Sequence, residues 1–279
     1  MALEAEAATP REDGRAARGA SAPLLAFSVF RRELGHYFKS PGTYVALTFF
    51  FIVSGAFFSL IVADFVEACA AARAGNPRPD GAPTLNVTQT VVTQLFQALN
   101  FLMLLLVPML TMRLIAEERR SGTFELLVTS PLGNWDILLG KYFAALVVGV
   151  AVLGVCALYP LVCFLYSEPE GAVVLSCYLG LFLIIAAYTA FGLFASALSE
   201  SQIAAAVLSF AGLLVFQMIG WLFKSGRLGR IAMELSVHRH SDNFTKGVIA
   251  LNDVAFFVVF SVFFLFLGAQ ILDARRWRA

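Results

Sequence analysis

Apolar residues in this chain collect in six unbroken runs: Tyr44–Ala63, Val91–Met112, Tyr142–Leu165, Ala172–Leu198, Ile203–Phe223 and Val254–Leu272. Crossing ~30 Å of hydrocarbon takes about 20 apolar residues in helical form, and no run contains an Asp, Glu, Lys or Arg. A charge at mid-span would oppose insertion by roughly 2.5–3.5 kcal/mol, against about 0.3–0.6 gained per Leu, Ile or Phe, so each run inserts without help from a neighbour. The pattern predicts an all-α integral membrane protein with six transmembrane helices. Ahead of the first run, LLAFSVFRRELGHYFKSP sets Phe27, Phe30, Leu34 and Tyr37/Phe38 at helical spacing among Arg31, Arg32, Glu33 and Lys39. This suits a helix lying in the inner membrane interface, ended by Pro41 and Gly42.

Composition agrees with a bilayer setting. Of 279 residues 59% are hydrophobic and 14% charged, with a mean hydropathy of +0.79, far from the balance of a water-soluble domain. A net charge of +1 gives no bias toward polyanions, and nucleic acid is not an expected partner. With the N-terminus inside, the inner segments carry thirteen Lys and Arg and the outer ones seven, which places both termini in the cytoplasm. Residues 224–253, an outer connection in this topology, hold five of those seven. The Ala-rich, mixed-charge residues 1–22 read as a disordered cytoplasmic tail, leaving 23–279 as one transmembrane domain.

Chemistry-bearing patterns are sparse. GNWDILLGKYF is the nearest approach to a phosphate-binding G-x-x-x-x-G-K-[ST] loop, but Trp135 stands where the first glycine belongs and Tyr142 replaces the hydroxyl residue. The chain is therefore expected to hydrolyse no nucleotide alone and to bind no cofactor. Catalytic or metal-ligating residues are not expected either. The cysteines Cys69, Cys156, Cys163 and Cys177 show no zinc spacing. His238 and His240 with Asp242 make a weak H-x-H pattern in a segment read as a solvated outer loop. No acid or histidine is expected at membrane depth, where such groups mark proton relays and intramembrane catalysis. Gln94, Gln97 and Asn100 recur every third residue and share a face of the second span. Interhelical hydrogen bonding is the favoured reading for them and the lining of a substrate path the alternative.

The largest inner connection between spans, 113–141, begins RLIAEERRSGTFELLVTSPLGNWD. Ser121 suits a helix N-cap, Thr123–Leu127 a short helix with Glu125 near its positive end, and Pro131 its terminator. Phe124, Leu127 and Val128 fall on one face, making an exposed helix that lies on lipid or plugs into a partner's groove.

EERRSGTFELLVTSPLGNWDILLGKYFAAL resembles the cytoplasmic loop of ABC-2 type ABC transporter permeases. FRRELGHYFKSPGTYVAL and the end, HSDNFTKGVIALNDVAFFVVFSVFFLFLGAQILDARRWR, resemble the gliding-motility and nitrous-oxide-reductase-maturation branch of that family, and the likeness spans residues 24–278. The resemblance implies a multi-pass permease of a bacterial inner membrane, paired with a second permease copy or homologue and served by a separate cytoplasmic ATPase that holds ATP and Mg. Glu117, Glu118, Arg119, Ser121, Gly122, Thr123, Phe124, Glu125 and Leu127 would form the coupling helix on that ATPase, with Arg31, Arg32 and Glu33 beside it, and Pro131 would stiffen the exit into span three. Membrane lipid and an extracytoplasmic auxiliary protein are further expected partners. A scaffold for a secretion or motility apparatus, without transport of its own, is the alternative. One departure from the family is expected: 224–253 reads as standing largely outside, with Ile231–Leu235 and Val248–Leu251 as pieces able to dip into the interface, where many ABC-2 exporters fold two short re-entrant helices.

Overall fold

The computed structural model describes residues 13–74, 86–120, 122, 133–222 and 226–276. These residues are helical with no strand among them, and six of the helices are long and apolar enough to cross a membrane.

Helix α1 (Asp13–Lys39) precedes α2 (Pro41–Arg73), with Ser40 as the break. Pro41 can open α2 because the N–H it lacks would be unpaired there anyway. α2 continues ten residues past the apolar run, so Asp64, Glu67 and Cys69, expected in a loop, are helical. The second span opens with a π-helical turn, Thr88–Val92, runs through α3 (Thr93–Thr111), and turns at 112–115 into the short α4 (Ala116–Arg120).

The third span is α5 (Asn134–Cys156) plus α6 (Leu158–Tyr166). Their break at Ala157 has a covalent cause. Pro160 cannot donate to the carbonyl of Cys156, and its ring crowds that turn. The fourth span is α7 (Gly171–Leu198) and the fifth α8 (Gln202–Leu222). Two short helices follow, α9 (Gly226–Glu234) and α10 (Val237–Thr245), before the last span, α11 (Leu251–Arg276).

α7 is the axis of the bundle, packed by α3, α5, α8, α10 and α11. It is apolar on every side, as a helix surrounded by protein must be. Small residues permit the closest approaches. A Cβ on Gly192 would fall inside Thr111, and one on Gly149 inside Ile185. Between α7, α8 and α11, Phe191, Phe194, Phe216, Phe260 and Phe264 form a continuous aromatic cluster with ring centroids from 4.7 to 6.4 Å apart. α2 and α8, by contrast, expose most of their apolar surface, including Val45, Phe49 and Ile52 on one and Ile203, Val207 and Trp221 on the other.

α1 packs along α5 by an edge that takes in only part of its aromatic stripe. Val29, Glu33 and Tyr37 are buried at i, i+4 and i+8, while Phe27 and Phe38 point away. Gly140 makes this possible, since a Cβ there would stand 2.9 Å from Val29 and 3.0 Å from the Ala26 carbonyl.

Two sequence expectations are overturned. Residues 226–245 are not a loop standing clear of the bundle: α10 packs on α7, α8 and α11, and Val237, His240, Ser241, Phe244 and Thr245 are buried. Gly180, about 13 Å along α7 from its first residue, leaves room for the Phe244 ring, so α10 lies well within the length of the spans. The segment folds inward because its apolar and hydrogen-bonding residues share one side of α10, which a hydropathy average cancels against Arg239, Asp242 and Lys246. Charged and titratable groups also occur within the bundle. Lys141 is the eighth residue of α5 and 1% exposed, Asp253 is the third of α11, and His240 is buried in α10. Apolar runs were bounded by their first charge, but a helix continues through a charge that has a partner.

Candidate functional site

The end of the bundle where α1, α4 and the start of α5 meet is held by an ion cluster. The Lys141 ammonium donates to Glu33 Oε1 (3.1 Å), Glu118 Oε1 (2.9 Å) and the Leu114 carbonyl (2.6 Å), while Arg32 reaches the same two carboxylates at 3.0 and 3.1 Å. Burial pushes the Glu33 carboxyl upward, but the neighbouring Lys141 and Arg32 charges outweigh it and hold it below the ordinary carboxylate value. The cluster joins α1, α4 and α5. Tyr37 adds a bond from α1 to the Leu110 carbonyl (2.9 Å), and Arg113 donates to Ser40 (2.5 Å) at the α1–α2 break. Burial raises the Tyr37 phenol.

The turn between α3 and α4 is satisfied from α7. Ser196 Oγ accepts from the backbone N–H groups of Ile115 and Ala116 (3.1 Å each) and donates to the Met112 carbonyl (3.2 Å). Arg119 donates to the Ser199 carbonyl (2.8 Å), at the negative end of α7. At the other side of the inner connection, Asp136 accepts from the Gly133 N–H (3.2 Å) as a helix-start cap, and Asn134 bonds Asp273 of α11. Both flanks of residues 123–132 are thus fixed to the bundle. A cavity of about 870 Å³ opens against the ion cluster, lined by Arg32, His36, Arg113 and Glu117 together with Val45 and Met109.

Sequence-predicted residues divide accordingly. Glu118, Glu33 and the half-exposed Arg32 meet at Lys141, while Arg119 turns instead to the end of α7. Glu117 and Arg31 are exposed, and Gly122 takes a left-handed φ of +70° that ends α4. Ser121, Thr123, Phe124, Glu125, Leu127 and Pro131 lie outside the described residues. Sequence reasoning missed Lys141, assigning it to the loop, because its carboxylate partners lie on α1 and α4 and leave no trace beside it in the chain.

A second site faces the opposite end. α3, α8 and α10 enclose a pocket of about 220 Å³ that receives Gln97, Asn100, Gln217, His238 and Asp242 along with Trp221. Asn100 is 4% exposed; its amide donates to Ser241 Oγ at 3.5 Å, while its Oδ1 has no partner among the described residues. Gln217 accepts from Tyr188 (3.0 Å). Gln97 joins Asn100 here, whereas Gln94 is not among the residues walling the pocket. No group of three metal-ligating side chains occurs among the described residues.

The profile of the ABC-2 family transporter proteins matches residues 76–227, more than half of the chain and all of spans two to five. The chain belongs to the ABC-2 family. No curated protein matches it. Family membership makes this a multi-pass membrane permease component of an ABC transporter, a kind of subunit that generally works with a cytoplasmic ATPase.

Proposed function

We propose that this ABC-2 protein is the permease subunit of an ATP-driven exporter in a bacterial cytoplasmic membrane, with both termini inside and residues 23–279 acting as one domain beside a second permease copy or homologue. The docking element is residues 117–131, including Phe124, which receives the push of a separate ATPase. One observation carries the reading: the flanks of this connection are fixed, Lys141 bridging Glu118 to Glu33 on one side and Ser196 and Arg119 tying α4 to α7 on the other. A displacement delivered to a segment held this way enters α1, α5 and α7 together. An energetic coupling of this kind requires the two ATPase states to contact the segment differently. The gliding-motility and nitrous-oxide-reductase-maturation branch is the favoured relationship, on the sequences flanking spans one and six.

The pocket between α3, α8 and α10 is the proposed wall of the substrate path, with Gln97 and Asn100 presenting hydrogen-bonding groups to cargo. Purification of the chain with its ATPase tests the docking. Phe124→Lys and Glu117→Lys should each lose a subunit whose ATP hydrolysis is measured in the parent complex, while the permease itself keeps its thermal transition. Retained subunit and unchanged hydrolysis in both variants would overturn the docking assignment and favour a scaffold without driven motion.

A further inference from the structure

The buried pair His240–Asp253 serves neither the inner cluster nor the pocket directly. His240 Nδ1 lies 2.6 Å from Asp253 Oδ1, and Nε2 lies 3.1 Å from the main-chain carbonyl of Glu234. The ring is stacked on Phe256 at 4.1 Å, and Asn243 donates to the other carboxylate oxygen of Asp253 at 2.7 Å. His240 and Asp253 are 3% and 4% exposed. Nearby charges are engaged elsewhere: Glu234 with Arg239 at 2.5 Å and Asp242 with Lys246 at 2.6 Å. On the remaining neighbours, α7 presents the Cys177 thiol to the Phe244 carbonyl, and α8 presents Gln217 and Trp221 toward the pocket.

Both ring nitrogens therefore face acceptors. A neutral imidazole carries one N–H and can satisfy one of them; an imidazolium satisfies both. We propose that His240 is held doubly protonated by Asp253 and the Glu234 carbonyl, and that this pair positions α10 so that its opposite side closes the pocket wall. α10 has about 2.5 turns. His240 and Asn243 look toward α11, while His238, Asp242 and Thr245 on its other side line the pocket. Loss of the ring proton leaves a buried acceptor pair without a donor between them, so α10 loosens as the pH rises and tightens as it falls. His240 and Asp253 are positioning residues, and their protonation sets access to the pocket.

The inference rests on the pocket reading above, but its test is separable from transport. In protein labelled with ¹⁵N in its histidine rings, three imidazoles are expected, each with two nitrogens, with His36 and His238 assigned by substitution to Gln. At the low-pH end of the labelling profile that follows, His240 should show both nitrogens protonated; one bare nitrogen there overturns the proposal and leaves the path assignment untouched. In a variant with the four native cysteines replaced, Thr245→Cys should react slowly with a polar maleimide at low pH. Its rate should climb with pH after normalisation to the thiolate fraction of an exposed reference cysteine. Adding His240→Gln or Asp253→Asn should raise the low-pH rate at least about tenfold, since a hydrogen bond to a charged group contributes more than a decade in equilibrium constant, and should flatten the profile. A profile unchanged by both substitutions also overturns it. Should these variants fail to fold, the ¹⁵N measurement on the parent still decides.

Discussion

Replacing Lys141 with Met removes the cation at the centre of the inner cluster while keeping its volume close to that of the original side chain. Lys141 is 1% exposed on its side chain, and its partners Glu33 and Glu118 are 11% and 18% exposed. Removing one member of a buried ion pair destabilises by about 3–5 kcal/mol, because the opposite charge stays behind without compensation. Arg32 remains on both carboxylates but is 48% exposed and solvent-screened, so the low end, about 3 kcal/mol, is expected. Denaturant titration in detergent, followed by circular dichroism, measures it. Adding Glu33→Gln to Lys141→Met should recover roughly half of the loss, since one orphaned charge disappears with the cation. A single-variant loss below about 1 kcal/mol, or a double variant no better than the single, would refute the reasoning by showing that the cluster is hydrated and weak.

Gly180→Ala should displace α10, because the new Cβ would stand 2.9 Å from Phe244; overpacking of this kind costs about 1–3 kcal/mol, and faster labelling of Thr245→Cys would accompany it. Ser196→Ala leaves the N–H groups of Ile115 and Ala116 without their acceptor, for an expected loss of about 1–3 kcal/mol and a lower transition temperature. Acidification should loosen α1. The Glu33 carboxyl is held below its usual 4.5, so its contribution is present above that value and is lost as the pH falls through the depressed one. Glu33→Gln should abolish this part of the acid dependence, read as the protection of α1 from proteolysis.

The six spans were legible because hydropathy is additive over 20 residues and needs no partner to be recognised. Helix ends were less so. Lys141 and Asp253 stopped the apolar runs, yet each is paired in three dimensions with residues distant in sequence: Glu33, 108 positions away, and His240, 13 positions away. α10 was invisible for a related reason. Its inward side, Val237, His240, Ser241 and Phe244, alternates with exposed charges, and no window average separates the two. A local signal did exist in Lys246–Gly247, where Gly247 takes φ +77° and the N–H groups of Gly247 and Val248 return to Phe244 and Asn243, the closing geometry of a helix. Spacing alone put Gln97 and Asn100 on one face, and the H-x-H pattern marked His238 and Asp242, but that these groups meet beside Gln217 was not legible, since pairing across a bundle leaves no trace in one helix's periodicity.

α7 touches both sites described above: its Ser196 caps the inner turn, and its Gly180 receives Phe244 of α10. Sixteen positions of uninterrupted helix separate the two points, about 24 Å of backbone. An α-helix resists axial compression, so under the docking proposed above a stroke delivered to the turn at 112–115 would travel along α7 to the end where α10 packs. Timing between nucleotide turnover and cargo release would then depend on one rod and not on a relay of loose joints.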